Sequence, residues 1–150
     1  MKNVDLSIRG YNQAADLQKL SGIWFQASLR AHSFIGEKRL QEQRVEIETI
    51  YLPNAETWVS CHREEPVGFI SLLDTFIGGL FVAHERQGIG AGRALVDHAL
   101  KLKGELHLEV YIANAQAYGF YKSLGFEELS RRAVDDEGLP FENARMRLTA

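Results

Sequence analysis

Apolar and polar residues alternate along this chain with two different periods, which divide it into strands and helices. Alternation with period two indicates half-buried strands, and apolar residues three or four positions apart indicate amphipathic helices. In chain order the pattern predicts a strand at 4–9, helices at 14–31 and 37–52, strands at 56–62, 66–73 and 76–82, a helix from about 91 to 102, a strand at 105–110, a helix at 114–124, and strands at 126–134 and 141–148. The order β-α-α-β-β-β-α-β-α-β-β predicts an α/β fold with a mixed sheet, antiparallel early and crossover-connected late.

Some positions within the helices are also predicted. Pro53 is expected to follow the second helix, since proline ends a helical pattern. In the helix from about 91 to 102, Leu95, Ala99 and Leu102 are expected to form the buried stripe. Asn114 is expected to cap the next helix, and Gly125 is expected to end it.

The composition is typical of one globular domain, here 1–150. The chain has 150 residues, of which 45% are hydrophobic and 25% charged, and its net charge is −3. Such a charge provides no overall positive field for nucleic acid or an anionic membrane surface. The longest nearly apolar stretch, 76–83, is too short to span a bilayer, and the first ten residues lack a secretory apolar core. We therefore expect a cytoplasmic protein, monomeric or homodimeric, with neither a nucleic-acid nor a membrane partner.

The cysteine and histidine residues give little indication of special chemistry. Cys61 is the only cysteine, so no internal disulfide can form, and its strand-like surroundings favour packing in the core over reactivity. The five histidines lack the spacing of metal ligands, so no metal is expected.

The segment "QGIGAGRAL", 87–95, follows a predicted strand and precedes a predicted helix. Such an arrangement binds anions, because the first N–H groups of a helix have no partners and glycines let them approach a ligand closely. A P-loop requires Lys and then Ser or Thr after its last glycine, but Arg93 and Ala94 follow Gly92. The spacing also fails the G-x-G-x-x-G fingerprint of dinucleotide-binding folds. A flexible turn at a helix start explains one or two of the glycines but explains all three poorly.

A third interpretation fits the spacing. Gln87-x-x-Gly90-x-Gly92 resembles the Q/R-x-x-G-x-G/A signature of the GNAT superfamily of N-acetyltransferases. Downstream, "VYIANAQAYGFYKSLGF", 110–126, is similar to a second motif of that family, a strand ending in Val followed by N-x-x-A-x-x-F-Y-x-x-x-G-F. The predicted element order also agrees with the GNAT fold. More narrowly, "IW" at 23–24, "AHSFI" at 31–35 and "DDEGLPF" at 135–141 resemble the small bacterial acetyltransferases of the YjaB type.

The resemblance implies that the glycine loop holds the pyrophosphate of acetyl-coenzyme A (acetyl-CoA) and that the strand before it holds the pantetheine arm. The residues so implied are Leu80, Phe81, Val82, Gln87, Gly88, Ile89, Gly90, Ala91, Gly92, Arg93, Asn114, Ala117, Phe120 and Tyr121. Gly78 and Gly79 weaken a regular strand and indicate either a bulge beside the ligand or merely a twisted edge. A branched side chain at Gly90 or Gly92 is expected to fill the phosphate site and to leave the fold largely intact.

Acetyl transfer to an amine requires a neutral amine, a donor for the carbonyl oxygen and an acid for the departing thiolate. By the resemblance, the Leu80 N–H serves the oxygen and Tyr121 serves the thiolate, although an aromatic residue on an apolar helix face is by itself typical of a core. The base remains open among Asp74, His107 and Glu109, each acting through water.

The acceptor side is implied by the connection between the first two helices, which borders the acceptor pocket in GNAT enzymes. His32 and Phe34 are therefore candidates for contact with the acceptor, while a histidine near a helix end equally suits a capping role. Asp135 and Asp136 are able to attract a cationic amine, but turn formation explains them better.

These features favour an N-acetyltransferase that transfers an acetyl group from acetyl-CoA to a primary amine, by direct attack in a ternary complex. The alternatives are an acyl-CoA-binding sensor of GNAT-like fold without turnover, and a nucleotide-binding module of another fold. The acceptor is expected to be a small-molecule amine or a protein amine, and the residues do not specify which.

Overall fold

A computed structural model describes residues 5–150 of the protein. A sheet of seven strands runs through it in the order β1-β2-β3-β4-β5-β7-β6. The strands are β1 Leu6–Gly10, β2 Glu56–His62, β3 Glu65–Leu73, β4 Phe76–Val82, β5 Glu105–Tyr111, β6 Glu127–Arg132 and β7 Asn143–Thr149. All neighbours are antiparallel except β4 and β5, which are parallel. The predicted strand pattern and mixed α/β class are confirmed, while Val4, the first position of the predicted 4–9 strand, lies outside the described residues.

The helices begin and end largely where capping residues predict. They are α1 Gln13–Ala31, α2 Glu37–Glu46, α3 Leu52–Asn54, α4 Ala91–Lys103 and α5 Ala115–Ser123, with 3₁₀ turns at Ser33–Ile35 and His84–Arg86 and a π-helical turn at Ile47–Tyr51. The Asn114 side chain accepts a hydrogen bond from Ala117 N and so begins α5. Gly125, with φ of 103°, follows the end of α5. Between residues 5 and 150, no helix is long and apolar enough to cross a membrane.

Two apolar clusters pack on opposite faces of the sheet. Even-numbered residues of β5, such as Leu106 and Leu108, turn towards α4 and α5 and are buried. On the other face, α1, α2 and α3 cover β2 and β3, where Phe69 and Cys61 are buried. The expected core position of Cys61 is confirmed. Odd-numbered residues of β5 therefore lie on the same side of the sheet as α1 and α2, and this placement determines which of them line the candidate site.

Two predictions about helices are wrong in detail. Pro53 lies inside α3 rather than after it, because proline is tolerated in the first turn of a helix, where its missing N–H has no partner anyway. Leu102 is 50% exposed, and the buried stripe of α4 is completed by Ala91 and Val96 instead. Leu102 therefore turns to solvent, although Leu100 in the same last turn packs against the core cluster.

The parallel strands β4 and β5 pair only at their beginnings. Phe76 pairs with His107 and Ile77 with Leu108, and the strands separate beyond these two pairs. The separation coincides with a bulge, since Ser71 of β3 is opposite Gly79 while Leu72 is opposite Ile77, which leaves Gly78 as the extra residue. The two glycines therefore mark a bulge at the point where a gap opens in the sheet.

Gly78 also accommodates a tyrosine from the π-helical turn. A Cβ atom on Gly78 would overlap with the hydroxyl oxygen of Tyr51, and would lie 2.6 Å from its Cζ atom. The Tyr51 hydroxyl is buried and has no hydrogen-bond partner among the described residues. Burial raises the pKa of Tyr51 to about 12. The Tyr51 ring therefore packs the helical layer against the bulge, and only glycine at position 78 leaves room for it.

We expect Gly78→Ala to lower the free energy of unfolding by about 1–3 kcal/mol, because the added methyl group cannot enter without moving Tyr51 or β4. Gly22→Ala is the matched control, since a Cβ there meets nothing within 4 Å and alanine favours the helix α1. Urea unfolding of both variants measures the difference. Gly78→Ala combined with Tyr51→Ala should lose less stability than the two single changes added together, and strict additivity would contradict the contact.

Candidate active site

The edge of β4 that faces the gap carries free backbone groups. In an antiparallel ladder, opposite residues alternately exchange hydrogen bonds and do not. The Ala83 N–H donates to the Val67 carbonyl at 2.8 Å, so the register directs the backbone groups of Phe81 towards β3 and those of Leu80 and Val82 away from it, into the gap. The Leu80 N–H, which is expected to donate to the thioester carbonyl oxygen, thus faces the gap between β4 and β5.

The glycine loop presents a second set of backbone donors. Gly88 and Gly90 both have a φ of 89°, and a Cβ at either position would meet nothing within 4 Å. The first helical bond of α4 runs from Ala94 N to the Gly90 carbonyl at 2.9 Å. The N–H groups from Gly88 to Arg93 have no acceptor within residues 5–150, and no side chain caps the helix. These donors at a helix N-terminus suit the phosphates of a coenzyme.

Gly92 has a different role from Gly90, which corrects the expectation that the two are equivalent. A Cβ on Gly92 would lie 3.3 Å from the Phe120 ring and 3.6 Å from Val82. Gly92 therefore brings β4, α4 and α5 into contact, and a larger residue there disturbs packing as well as the loop. Gly92, Val82 and Phe120, three of the residues expected to hold the coenzyme, therefore lie next to one another.

Tyr121, the expected acid, is 8% exposed on the inner face of α5. Its ring packs edge-on against Phe120 and Phe126, with centroids 5.4 and 5.3 Å apart. Its hydroxyl has no hydrogen-bond partner in the described part of the chain, and burial raises the pKa of Tyr121 above the value for free tyrosine. The phenol is therefore protonated at neutral pH, as a proton donor must be.

His32 connects the two predicted halves of the site. The Asn114 Oδ1 atom already accepts from Ala117 N, so its Nδ2 atom is the donor to His32 Nε2 at 3.1 Å. Burial lowers the pKa of His32 to about 4, which leaves Nε2 free to accept. The backbone N–H of His32 caps α1 by donating to Ser28, so a capping role and a role in the site coexist. The predicted acceptor residue thus contacts a predicted coenzyme residue.

An aromatic cluster extends from His32 towards the sheet. Phe34 meets Tyr111 edge-to-face at 5.3 Å and Phe141 at 5.0 Å, and His32 meets Tyr111 at 5.1 Å. Tyr111 and Phe141 were not singled out from the sequence. The period-two pattern of β5 places Tyr111 on the same face as Glu109, which is the one signal that points to it.

A cavity of about 230 Å³ opens beside the gap, on the α1–α2 side of the sheet. Its lining includes Phe76, Ile77, Gly78, Glu109, Tyr111, Arg132, Asp135, Asp136, Glu137 and Asn143. Four of these residues are acidic and one is basic, so the cavity is suited to a cation. The glycine loop, α4 and α5 lie on the opposite side of the sheet, so the gap separates an acidic side from a donor-rich side.

The carboxylates of the cavity have partners within the protein. Asp135 accepts the Tyr111 hydroxyl at 3.0 Å and the N–H groups of Glu137 and Leu139, each at 2.9 Å, so its expected turn-forming role holds and it lines the cavity as well. Burial and the hydrogen bond to Asp135 together raise the pKa of Tyr111. Arg132 pairs with Glu109 at 2.8 Å and also with Asp136.

Of the three candidate bases, Glu109 alone lines this cavity. His107 lies deeper along β5 with Nδ1 3.3 Å from the Thr75 hydroxyl, and Asp74 occupies the turn before β4 with φ of 58°. Within residues 5–150, no three His, Cys, Asp or Glu side chains are grouped as metal ligands.

Comparison with known proteins agrees with this geometry. The family profile described as "Acetyltransferase (GNAT) domain" matches residues 53–128. The peptidyl-lysine N-acetyltransferase YjaB of Escherichia coli K12 is 38% identical over 128 residues, covering 83% of this chain and 84% of the relative. The peptidyl-lysine N-acetyltransferase YiaC of the same organism is 29% identical over 129 residues, covering 85% and 88%. The solution structure of apo YjaB from Escherichia coli superposes with a TM-score of 0.86 at 34% identity, covering 97% of this chain and 99% of that one.

The chain therefore belongs to the GNAT family of acetyltransferases. It is an N-acetyltransferase, and its acetyl donor is acetyl-CoA. The resemblance identified from the two motifs is confirmed, and so is its narrower form, the likeness to YjaB. The alternatives of a sensor without turnover and of a nucleotide-binding module with another fold are not supported.

Two glycines with similar positive φ, Gly90 in the loop and Gly104 at the other end of α4, should respond differently to substitution. Gly90→Ala and Gly104→Ala both force alanine into a positive φ with open space around it, at opposite ends of α4. Each should lose about 1–2 kcal/mol of stability. Only Gly90→Ala should weaken acetyl-CoA binding, by about 10-fold or more in calorimetry. Equal binding by the two variants would contradict the phosphate role of the loop.

The buried His32 predicts a pH dependence of stability. Because its pKa of about 4 in the folded chain is lower than the usual 6.5, the unfolded chain binds more protons between these values. Stability should therefore fall as the pH drops from 6.5 to 4, by up to about 1.4 kcal/mol per pH unit. His32→Asn should flatten this part of the curve in urea unfolding, although it lowers stability at every pH. Parallel curves for the two proteins would show that His32 is not the titrating group.

Proposed function

We propose that this enzyme acetylates the side-chain amine of lysine residues in a protein or peptide acceptor, by direct attack of the amine on acetyl-CoA within a ternary complex. The observation that carries the proposal is the acidic cavity at the mouth of the gap between β4 and β5. A lysine side chain is long, thin and cationic, and an acidic cavity beside the gap attracts it. The relatives named peptidyl-lysine N-acetyltransferases support this class of acceptor.

On the donor side, the free N–H groups from Gly88 to Arg93 would hold the phosphates, and the open backbone of Leu80 and Val82 would hold the pantetheine arm. The open space at Gly88 and Gly90, where a Cβ would meet no protein atom, fits a bound group. Acetyl-CoA supplies a thioester, an acyl group that an amine can attack. The Leu80 N–H is assigned to the thioester oxygen, where a fixed donor is worth more than a mobile water.

Tyr121 is assigned as the proton donor to the leaving sulfur. Its raised pKa keeps the proton on the phenol, and the hydroxyl is not engaged by any other described residue. Glu109 is assigned to the proton of the incoming amine, directly or through water, because it lies in the cavity wall. Direct attack is favoured over a covalent enzyme intermediate because the sole thiol, Cys61, is 2% exposed on β2 and does not line the cavity.

A cytoplasmic location is part of the same proposal. The single, buried cysteine is compatible with a reducing compartment, and the described chain contains no membrane-spanning helix.

The test is acetyl transfer to a lysine peptide with blocked termini. A peptide with norleucine in place of lysine has the same carbon chain without the amine and should not be acetylated. We expect Tyr121→Phe to lower kcat by about 100-fold, with acetyl-CoA affinity nearly unchanged, because the lost hydroxyl acts only as the thiolate leaves. Tyr118→Phe, on the same helix, removes a hydroxyl that donates to Glu128 at 2.6 Å and should leave kcat within about twofold.

The outcomes separate the parts of the proposal. Transfer to small diamines but not to any lysine peptide would overturn the acceptor class and keep the chemistry. An unchanged kcat for Tyr121→Phe, with chemistry shown to limit the rate, would return Tyr121 to a packing role.

A further inference from the structure

A second cavity adjoins the acidic one and has the opposite character. It encloses about 290 Å³ and is lined by Glu109, Ser130, Arg131, Arg132, Asp136, Asn143 and Arg145. Glu109, Arg132, Asp136 and Asn143 also line the first cavity, so the two share a wall. Three arginines face two carboxylates in the second cavity. An acceptor that reaches the first cavity therefore passes beside a region of positive charge.

Two of the three arginines are already neutralised. Arg131 pairs with Glu128 at 2.7 Å, and Arg132 pairs with Glu109 and Asp136. Arg145 is exposed and has no carboxylate within 4.0 Å among residues 5–150. Arg145 is thus the one arginine of this cavity without an ion-pair partner among residues 5–150, and a guanidinium is the group best suited to hold a carboxylate with two parallel hydrogen bonds.

The strand register fixes the position of Arg145 relative to the first cavity. Arg145 of β7 is directly opposite Glu109 of β5, whereas Tyr111, in the wall of the first cavity, is opposite Asn143. Arg145 is thus two residues of strand, or about 7 Å, from the Tyr111–Asn143 pair in the wall of the first cavity. An extended peptide spaces alternate side chains by the same distance. A lysine in the first cavity therefore brings a neighbouring side chain of its own peptide within reach of Arg145.

We propose that the second cavity binds a carboxylate of the acceptor peptide, an Asp or Glu within two residues of the acetylated lysine, and that Arg145 is its ligand. This inference rests on the proposed lysine acceptor. The charges explain the pairing, because the acidic cavity takes the ammonium group while the neighbouring guanidinium takes the carboxylate. The preference is for a dipolar sequence rather than for a generally basic one.

The experiment compares kcat/KM for lysine peptides with blocked termini that carry Glu, Gln or Lys one or two positions from the target. The target lysine is the only free amine in the Glu and Gln series, and mass spectrometry locates the acetyl group in the Lys series. A further peptide with a free C-terminal carboxylate one residue after the lysine distinguishes a terminal carboxylate from a side-chain one. We expect the best Glu peptide to exceed its Gln partner by about 3- to 10-fold, mainly through KM, and the ratio to shrink in high salt.

Variants assign the effect to Arg145. Arg145→Gln should bring the Glu-to-Gln ratio to about one, and Arg145→Glu should reverse the preference towards the Lys peptide. Lys101→Gln removes an exposed cation from α4, away from both cavities, and should keep the wild-type ratio. Since each ratio is measured within one protein, partial loss of folded enzyme does not affect it.

Equal rates with Glu and Gln peptides, or a preference for Glu that survives Arg145→Glu, would overturn this inference and leave the proposed function standing. A preference confined to the free C-terminal carboxylate would overturn the assignment to a side chain. If no lysine peptide is acetylated by protein that binds acetyl-CoA, the proposed acceptor fails, and the second cavity loses its assigned role with it.

Discussion

The separation of β4 from β5 is the feature on which the rest of the site depends. Two parallel strands that stop pairing after Ile77 and Leu108 leave a row of backbone donors and acceptors without partners in the interior of a sheet. Unpaired backbone groups are costly when buried, so such a gap persists only if it stays wet or receives a ligand that replaces the missing strand. The bulge at Gly78 lies where the gap begins, and the Tyr51 ring packed on Gly78 connects that bulge to the helical layer. An extended pantetheine arm meets the requirement, because its amides can bond to β4 as a strand would.

The gap also explains how the acetyl-donor side and the acetyl-acceptor side of the candidate site can lie on opposite faces of one sheet and still meet. The glycine loop, α4 and α5 lie on one side, and the acidic cavity lies on the other. Asn114 and His32 join the sides, since Asn114 begins α5 and holds the connection after α1 through a single hydrogen bond of 3.1 Å. The neutrality of His32 is necessary for this bond, because a protonated Nε2 would face another donor.

The sequence predicts the elements and the local backbone features of the glycine loop, the Asn114 cap and β4 well, because local rules govern them. Positive φ at Gly88 and Gly90, the Asn114 cap and the bulge at the glycine pair all follow from residue chemistry at neighbouring positions. The acceptor half depends on contacts between distant segments. Tyr51 reaches Gly78 through a π-helical turn, and Arg39 reaches Glu137 at 2.6 Å across 98 residues, so no local pattern reveals either contact. The packing role of Gly92 escapes local patterns for the same reason, since its neighbour Phe120 lies on another helix.

The acidic cavity poses a problem that the ion pairs help to resolve. Carboxylates attract a lysine ammonium group, but they also hold its proton, and only the neutral amine can attack. Arg132 engages both Glu109 and Asp136, Arg39 engages Glu137, and the Asp135 carboxylate accepts three hydrogen bonds. These partners reduce the field at any one point while leaving an excess of negative charge around the opening. A cation is therefore drawn towards the cavity from outside, yet finds no unpaired carboxylate inside to retain its proton.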